Sequence, residues 1–433
     1  MRLRTGMQPF FRRHSGAMLV AIGLLARLGS VAYQYRYHLN PALDHWNYGW
    51  EMGRVARAIY EGRGFASPMY QPSGATAWMA PVYPVLIAAG FKLFGLYTAG
   101  AAWFILTLNA LFGALTVLPV RGISRRLFGT RTGDVSAWVW TLLPYSIYVT
   151  GERIWENTLT TLLAACLLWL TYLLAGMGSA EEAEAGYGVW LRWGALWAFA
   201  ALTSPSLVAP LPAIGLWIAW RRYRARRAWF LQATAAGLMF FALIAPWTLR
   251  NYSEFHRFIP MRDNFWLEVH VGNNGDNRLP CPDAVHPSNS AREREQWAAL
   301  GELAYMDAKQ VETKEWIRTH RSEFFVLTAR RTLFVWTGFW SITPYYLNAE
   351  PMEYLAVAYF TGMTLLAAAG FLRARRNGFG SLLWPMLWFL LIFPAPYYVT
   401  HPSYDYRHAM DPILVIMGTY AVRAWRAKND QFH

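Results

Sequence analysis

Cysteine and acidic charge are both scarce in this chain of 433 residues. Only Cys166, in an apolar stretch, and Cys281, in a polar one, are present, so no disulfide framework and no cysteine-based metal cluster is available. A glycine-rich dinucleotide fingerprint, a Walker-type phosphate loop and an HExxH zinc motif are all missing, which argues against a cytoplasmic nucleotide-sugar or ATP-driven mechanism. Asp plus Glu number 26 against 40 Lys plus Arg, a formal net charge of +14. That excess does not mark a nucleic-acid binder, because the basic residues stand in short clusters between apolar stretches rather than along one amphipathic face. What is abundant is apolar surface: 55% of the residues are hydrophobic and 17% aromatic, too apolar a balance for an ordinary soluble domain. Lipid is the expected solvent.

A helix needs about 20 mostly apolar residues to cross a bilayer. Such stretches fall near residues 16–35, 100–120, 134–150, 156–176, 190–204, 206–220, 229–247, 352–372, 381–398 and 409–424, which predicts an all-α polytopic bundle of ten spans. The clusters Arg121/Arg125/Arg126/Arg131, Arg221/Arg222/Arg224/Arg226/Arg227, Arg373/Arg375/Arg376 and Arg423/Arg426/Lys428 assign their loops to the cytoplasm. The basic start (Arg2, Arg4, Arg12, Arg13) reads as the flank of a retained signal anchor with a cytoplasmic N-terminus. Parity then leaves residues 81–95 (PVYPVLIAAGFKLFG) as a helix lying at the outer interface, and holds residues 324–345 outside as well. The result is a single membrane domain over residues 1–433 with two large outer excursions, 36–99 and 248–351, the second carrying a polar helical insert near 291–320.

The first excursion contains LDHWNYGWEMGRVARAIYEGRGF. Met52, Val55, Ala56 and Ile59 recur at helical spacing and Gly62/Gly64 end the run, so a helix is predicted with Glu51 at its start. A carboxylate there serves either the helix dipole and Arg54, or chemistry at the boundary of lipid and water. Asp44, after Pro41 and before His45, is the competing acid. The turn GERIWENT brings Arg153 and Glu156 between two apolar runs, as the polar tip of a helix hairpin or as substrate ligands. SYDYRHAMDPIL puts Tyr404, Tyr406, Arg407 and His408 before the last span. That is either an aromatic belt with an interfacial arginine or a phosphate site, to which the guanidinium fork is suited. Arg27, near the middle of the first span, is expected to serve the bundle rather than the site.

The stretches GWEMGRVARAIYEGRGF, APVYPVLIAAGFKLFG, RRLFG, APWTLRNY and YRHAMDPIL occur in an order that resembles the bacterial family 39-type membrane glycosyltransferases, over about residues 15–424. These are relatives of the protein O-mannosyltransferases and of the lipid A aminoarabinose transferase. The resemblance implies a GT-C-like helical bundle with outer juxtamembrane helices. It also implies a polyprenyl-phosphate sugar as donor, a lipid, glycan or protein acceptor in the envelope, and inversion at the anomeric carbon. The active site is then expected on the outer or periplasmic face of the cytoplasmic (inner) membrane. In that family an acid of the first outer loop acts on the acceptor, commonly an Asp some seven residues before an Ile-Ala-Arg-type tripeptide. Here the tripeptide is Val55-Ala56-Arg57 and the matching position is Tyr48, so the acid is Glu51, preferred, or Asp44. A base taking the acceptor's proton contributes about 10²–10⁴-fold. The departing lipid phosphate calls for arginine, a helix N-terminus or a divalent metal, and Arg153 and Arg407 are the candidates among the side chains. The alternative class is an envelope lipid or polysaccharide transporter, which shares the spans and basic loops but has no need of a long outer loop headed by an acid. An inactive, scaffold-like relative is a third reading.

Overall fold

The computed structural model describes residues 7–37, 48–69, 72–177, 186–275, 285–339 and 353–429. Asp44 and Cys281 lie outside the described residues. Among those described, the regular structure is helical, with one isolated bridge between Ala66 and Ala75. In chain order the α-helices are α1 (Met7–Tyr37), α2 (Glu51–Tyr60), α3 (Val82–Phe94), α4 (Ala99–Leu115), α5 (Val117–Phe128), α6 (Thr130–Thr141), α7 (Pro144–Glu152), α8 (Asn157–Leu174), α9 (Tyr187–Ala201) and α10 (Leu211–Arg224). They continue as α11 (Phe230–Phe255), α12 (Phe265–Gly272), α13 (Ala291–Leu300), α14 (Glu302–Thr319), α15 (Arg321–Thr337), α16 (Glu353–Ala374), α17 (Trp384–Ile392), α18 (Ala395–Val399), α19 (Tyr404–Arg407) and α20 (Asp411–Asn429).

Among the described residues, five stretches are helices long and apolar enough to cross a membrane: Gly16–Arg36, Ala99–Phe128, Asn157–Leu174, Phe230–Phe255 and Glu353–Leu382. Of the other runs expected as spans, residues 190–204 and 206–220 form helices of 15 and 14 residues and residues 409–424 lie in the 19-residue α20, while proline splits one run and interrupts another. Residues 134–150 do not make one span. Pro144 lacks the N–H that would bond back into the helix and pushes Leu143 into an extended conformation (φ −64°, ψ 116°), so the run splits into α6 and α7. In the same way Pro119 removes the bond that the Leu115 carbonyl would accept, and the long helix is interrupted at Thr116 between α4 and α5.

The bundle is held by close helix crossings. The 22-residue α16, about 33 Å long at 1.5 Å per residue, runs along α20. A side chain at Gly370 would overlap the Met417 carbonyl oxygen, so a small residue there is what lets the two backbones approach. On its outward face α11 leaves Phe230, Leu231, Leu238, Phe241 and Leu249 uncovered by protein, as expected where the solvent is lipid. Arg27 is fully buried and donates to Gly23 O (3.1 Å), Thr141 O (3.4 Å), Trp140 O (3.5 Å) and Ser146 Oγ (2.7 Å). Its charge is thus spread over carbonyl dipoles inside the bundle.

The two polar excursions are tied to one another. At the start of α14 the Glu302 carboxyl accepts from Thr76 Oγ (2.5 Å) and from the Ala77 N–H (2.6 Å). Arg250, on α11, donates to Thr76 O and Phe65 O, each at 2.7 Å. Burial and the neighbouring Asp263 hold the Glu302 carboxyl well above the usual carboxylate range, and Asp263 itself is raised by burial to about 6. Glu302, the more strongly raised of the two, therefore keeps its proton at neutral pH beside the Asp263 carboxylate.

Candidate functional site

A cavity of about 850 Å³ opens where the N-terminal ends of α2, α8 and α16 meet the C-terminal end of α7, α12 and the α18–α19 turn. Glu51, Arg153, Glu156, Tyr404 and Tyr406 all line it, although they are spread over some 350 residues of chain.

Glu51 is placed by an unusual turn. Gly49 adopts φ 80°, and a Cβ there would sit 2.6 Å from Ile154 O, so only glycine lets this backbone lie against the turn between α7 and α8. Trp50 follows at φ 33°, a strained value for a residue with a side chain. The chain then enters α2, and Glu51 is buried at 6% exposure in the cavity wall. Its Oε1 accepts a close hydrogen bond from Ser288 Oγ. His286 Nδ1 is 3.9 Å away, takes the Ser288 N–H at 3.1 Å, and its ring meets Trp78 edge-on at 5.5 Å. Tyr48, at the position where the resembled family carries an acid, is core: it stacks on Phe91 and is 1% exposed.

A second group of charges surrounds the start of α8. Glu156 occupies the helix's N-cap position but makes no side-chain cap, and its Oε2 has no hydrogen-bond partner among the described residues. Burial pushes its carboxyl up to about 7, against the opposing pull of its own backbone and of Arg262 and Arg153. Arg153 makes a close ion pair with Asp405 and lies 5.1 Å above the Trp155 ring. Asp405 also accepts from Tyr145 Oη (3.0 Å), so the pair is fixed from two sides. Arg262 lines the cavity and has neither an ion pair nor a hydrogen bond among the described residues. It is the arginine of this wall with an open guanidinium fork.

The turn before the last helix divides its residues. Tyr404 faces the cavity but its hydroxyl is held by Glu353, at the start of α16, and by the Phe339 N–H (2.9 Å). Tyr406 stacks on Tyr397 with centroids 4.6 Å apart. One step further along the helical turn, Arg407 and His408 point into the core and do not line the cavity. Arg407 donates to Trp336 O (3.1 Å), Val335 O (3.4 Å) and Phe360 O (3.4 Å), with Asp411 at 3.5 Å, while His408 Nδ1 is 2.8 Å from Asp411 and its ring stacks on Trp140. As placed, Arg407 staples α15 and α16 to α19, the anchoring alternative of the sequence reading rather than a direct phosphate contact.

Arg262, Glu268, His286, Ser288, Glu353 and His401 were not singled out from the sequence. They carry no recognisable spacing in the sequence. No group of three or more His, Cys, Asp or Glu suited to a metal ion occurs among the described residues.

No protein-family model matches the chain, and no curated protein does. Among solved structures, the apo oligosaccharyltransferase of Archaeoglobus fulgidus superposes with a TM-score of 0.54 at 15% identity, covering 98% of this chain and 52% of that one. The oligosaccharyltransferase AglB of the same organism, in complex with an inhibitory peptide and a dolichol-phosphate, gives 0.55 at 14% identity over 97% and 52%. ArnT from Cupriavidus metallidurans in the apo state gives 0.40 at 15% identity over 94% and 77%. The chain spans about half the length of the oligosaccharyltransferases it resembles. At this identity the likeness is one of fold, and that fold is the all-α, GT-C-like polytopic bundle expected from the sequence.

Proposed function

We propose that the protein is an integral-membrane glycosyltransferase that moves a sugar, with inversion, from a polyprenyl-phosphate donor to an envelope acceptor on the outer face of the cytoplasmic membrane. The observation that carries this reading is one cavity holding both a buried carboxylate, Glu51, and an open guanidinium, Arg262. A hydroxyl is a poor nucleophile until a base takes its proton, and a lipid phosphate leaves readily only where its growing charge is met. Glu51 takes the proton of the acceptor hydroxyl, with the Ser288 hydroxyl holding the carboxylate in place. The freed oxygen bonds to the anomeric carbon as the bond to the phosphate oxygen breaks, and that electron pair leaves on the phosphate. Arg262 receives the phosphate, Arg153, its charge balanced by Asp405, lines the same wall, and neutral Glu156 lets the anion approach.

The outer location rests on the helix ends. α16 begins at the cavity with Glu353 and carries Arg373 in its last turn, and α10 and α20 carry the clusters Arg221/Arg222/Arg224 and Arg423/Arg426 toward their ends. A cytoplasmic position for those arginines puts the cavity on the opposite side.

The test is transfer of labelled sugar from polyprenyl-phosphate donors to envelope acceptors by the purified, reconstituted protein. Glu51→Gln and Arg262→Ala are expected to lose transfer while remaining inserted. Flux of lipid-linked sugar across vesicles with no transfer would instead establish the transporter reading.

A further inference from the structure

One corner of the cavity is used by none of these steps. Tyr397 and Tyr406 stack there with an interplanar angle of 17°, and the Phe393 ring backs Tyr397 at 5.8 Å, so the pair forms a fixed, flat apolar wall. At its edge stands a polar chain. Asn264 Nδ2 donates to Glu268 Oε1 (2.7 Å), Glu268 Oε2 faces His401 Nδ1 at 3.6 Å, and His401 Nε2 lies 3.2 Å from Tyr406 Oη. Glu268, His401, Tyr397 and Tyr406 all line the cavity.

Glu268, at 3.6 Å, is beyond hydrogen-bond range of His401 Nδ1, but its charge favours the tautomer with the proton on that nitrogen. A proton on His401 Nδ1 faces Glu268, which leaves Nε2 as an acceptor for the Tyr406 hydroxyl. With its proton committed to the imidazole, Tyr406 Oη offers lone pairs to the cavity and can only accept. A flat apolar wall edged by a group that demands a donor is suited to a sugar ring presenting a hydroxyl, since aromatic faces cover a ring's apolar surface while a few convergent polar groups fix its orientation.

We propose that this corner seats the donor's sugar ring and that Tyr406, oriented by His401 and Glu268, reads one hydroxyl of that sugar. The inference rests on the glycosyltransferase reading above and names the substrate feature that the same site selects. The corner belongs to the donor because of its neighbours: Tyr406 interacts electrostatically with Arg153 and Glu156, and Tyr397 with Arg262. A sugar joined through one oxygen to a phosphate at Arg262 has to lie beside that arginine. His401 and Glu268 act through Tyr406 and are positioning residues. The substrate class is a lipid-phosphate sugar with a free hydroxyl at the position read; the corresponding deoxy and O-methyl sugars are rejected, because each leaves the Tyr406 oxygen without a donor.

The experiment compares kcat/KM for short-chain polyprenyl phosphates carrying glucose, galactose, mannose or xylose, and for the monodeoxy analogues of whichever the wild type uses best. Wild type is expected to discriminate against one monodeoxy analogue by about 10²-fold or more. That is below the roughly 10⁴-fold of a fully enclosed hydroxyl site, because the His401 and Glu268 side chains keep 21% and 18% exposure. Tyr406→Phe, which removes a single oxygen, is expected to bring that ratio below about 10-fold with the parent sugar still transferred. His401→Phe and Glu268→Gln should relax the same position and no other. An unchanged ratio in Tyr406→Phe overturns the subsite while leaving the transferase reading intact, and so does altered selectivity among acceptors with donor discrimination unchanged. Failure of the wild type to transfer or bind any of the four donors overturns the transferase reading itself and the subsite with it.

Discussion

Donor binding is expected to weaken as the pH rises through 7, and Glu156→Gln to remove that dependence. Burial raises the Glu156 carboxyl to about 7, and the cations that oppose the rise are Arg262, proposed to receive the donor phosphate, and Arg153. Below that pH the carboxyl is neutral and Arg262 is free for the phosphate's charge. Above it the carboxylate competes for the same guanidinium and repels the incoming anion. A group with a pKa near 7 is neutral in about nine molecules in ten at pH 6 and about one in ten at pH 8, so the apparent donor KM should rise about tenfold, or about 1.4 kcal/mol. Bound phosphate stabilises the neutral form further, so the limb in kcat lies at higher pH than the limb in kcat/KM. Initial rates over donor concentration from pH 6 to 8.5, at constant ionic strength, measure this directly. Glu156→Gln keeps the shape of the neutral acid and should hold KM at its acidic value throughout. A flat KM in the wild type, or a tenfold rise that persists in Glu156→Gln, refutes the reasoning.

Three further outcomes follow from the packing. Arg407→Ala should reduce folded yield while the surviving protein keeps its activity per inserted molecule, since Arg407 bonds carbonyls of α15 and α16 rather than facing the cavity; loss of specific activity at normal yield would return it to the phosphate site. Asp405→Ala removes the carboxylate paired with the buried Arg153 and should cost about 3–5 kcal/mol, read as thermal unfolding in detergent, where a loss under about 1 kcal/mol contradicts the pairing. Glu302 and Asp263 hold their protons more tightly folded than unfolded, so their contribution to stability is full in acid and declines as pH rises from about 4, through about 6 for Asp263 and higher still for Glu302. Glu302→Gln should flatten that decline between pH 5 and 8; an identical slope in the variant would exclude the pair as its source.

Local signals were the ones that could be read in advance. Apolar residues at helical spacing placed the start of α2 at Glu51, and Gly62 and Gly64, both at positive φ, end it as expected. The polar turn with Arg153 and Glu156 stood out because it interrupts two apolar runs. Hydropathy averaged over residues 134–150 did not register the break that one proline imposes at Leu143. Nor could it separate Tyr406, facing the cavity, from Arg407, facing the core, because a single step of helix rotation decides between them. The partners of Glu51 and Glu156 were out of reach for a different reason. Ser288 is 237 residues from Glu51, and Arg262 is over a hundred from Glu156, so only tertiary packing brings them together.

The central claim is that this cavity transfers sugar from a lipid phosphate, and the most direct measurement is mass spectrometry of cell-envelope glycans with the protein present, deleted, or replaced by Glu51→Gln. One sugar residue should be absent from one acceptor in the deletion, equally absent with Glu51→Gln at normal membrane levels, and restored by the wild type. Envelope glycans unchanged by deletion, or fully restored by Glu51→Gln, would contradict it.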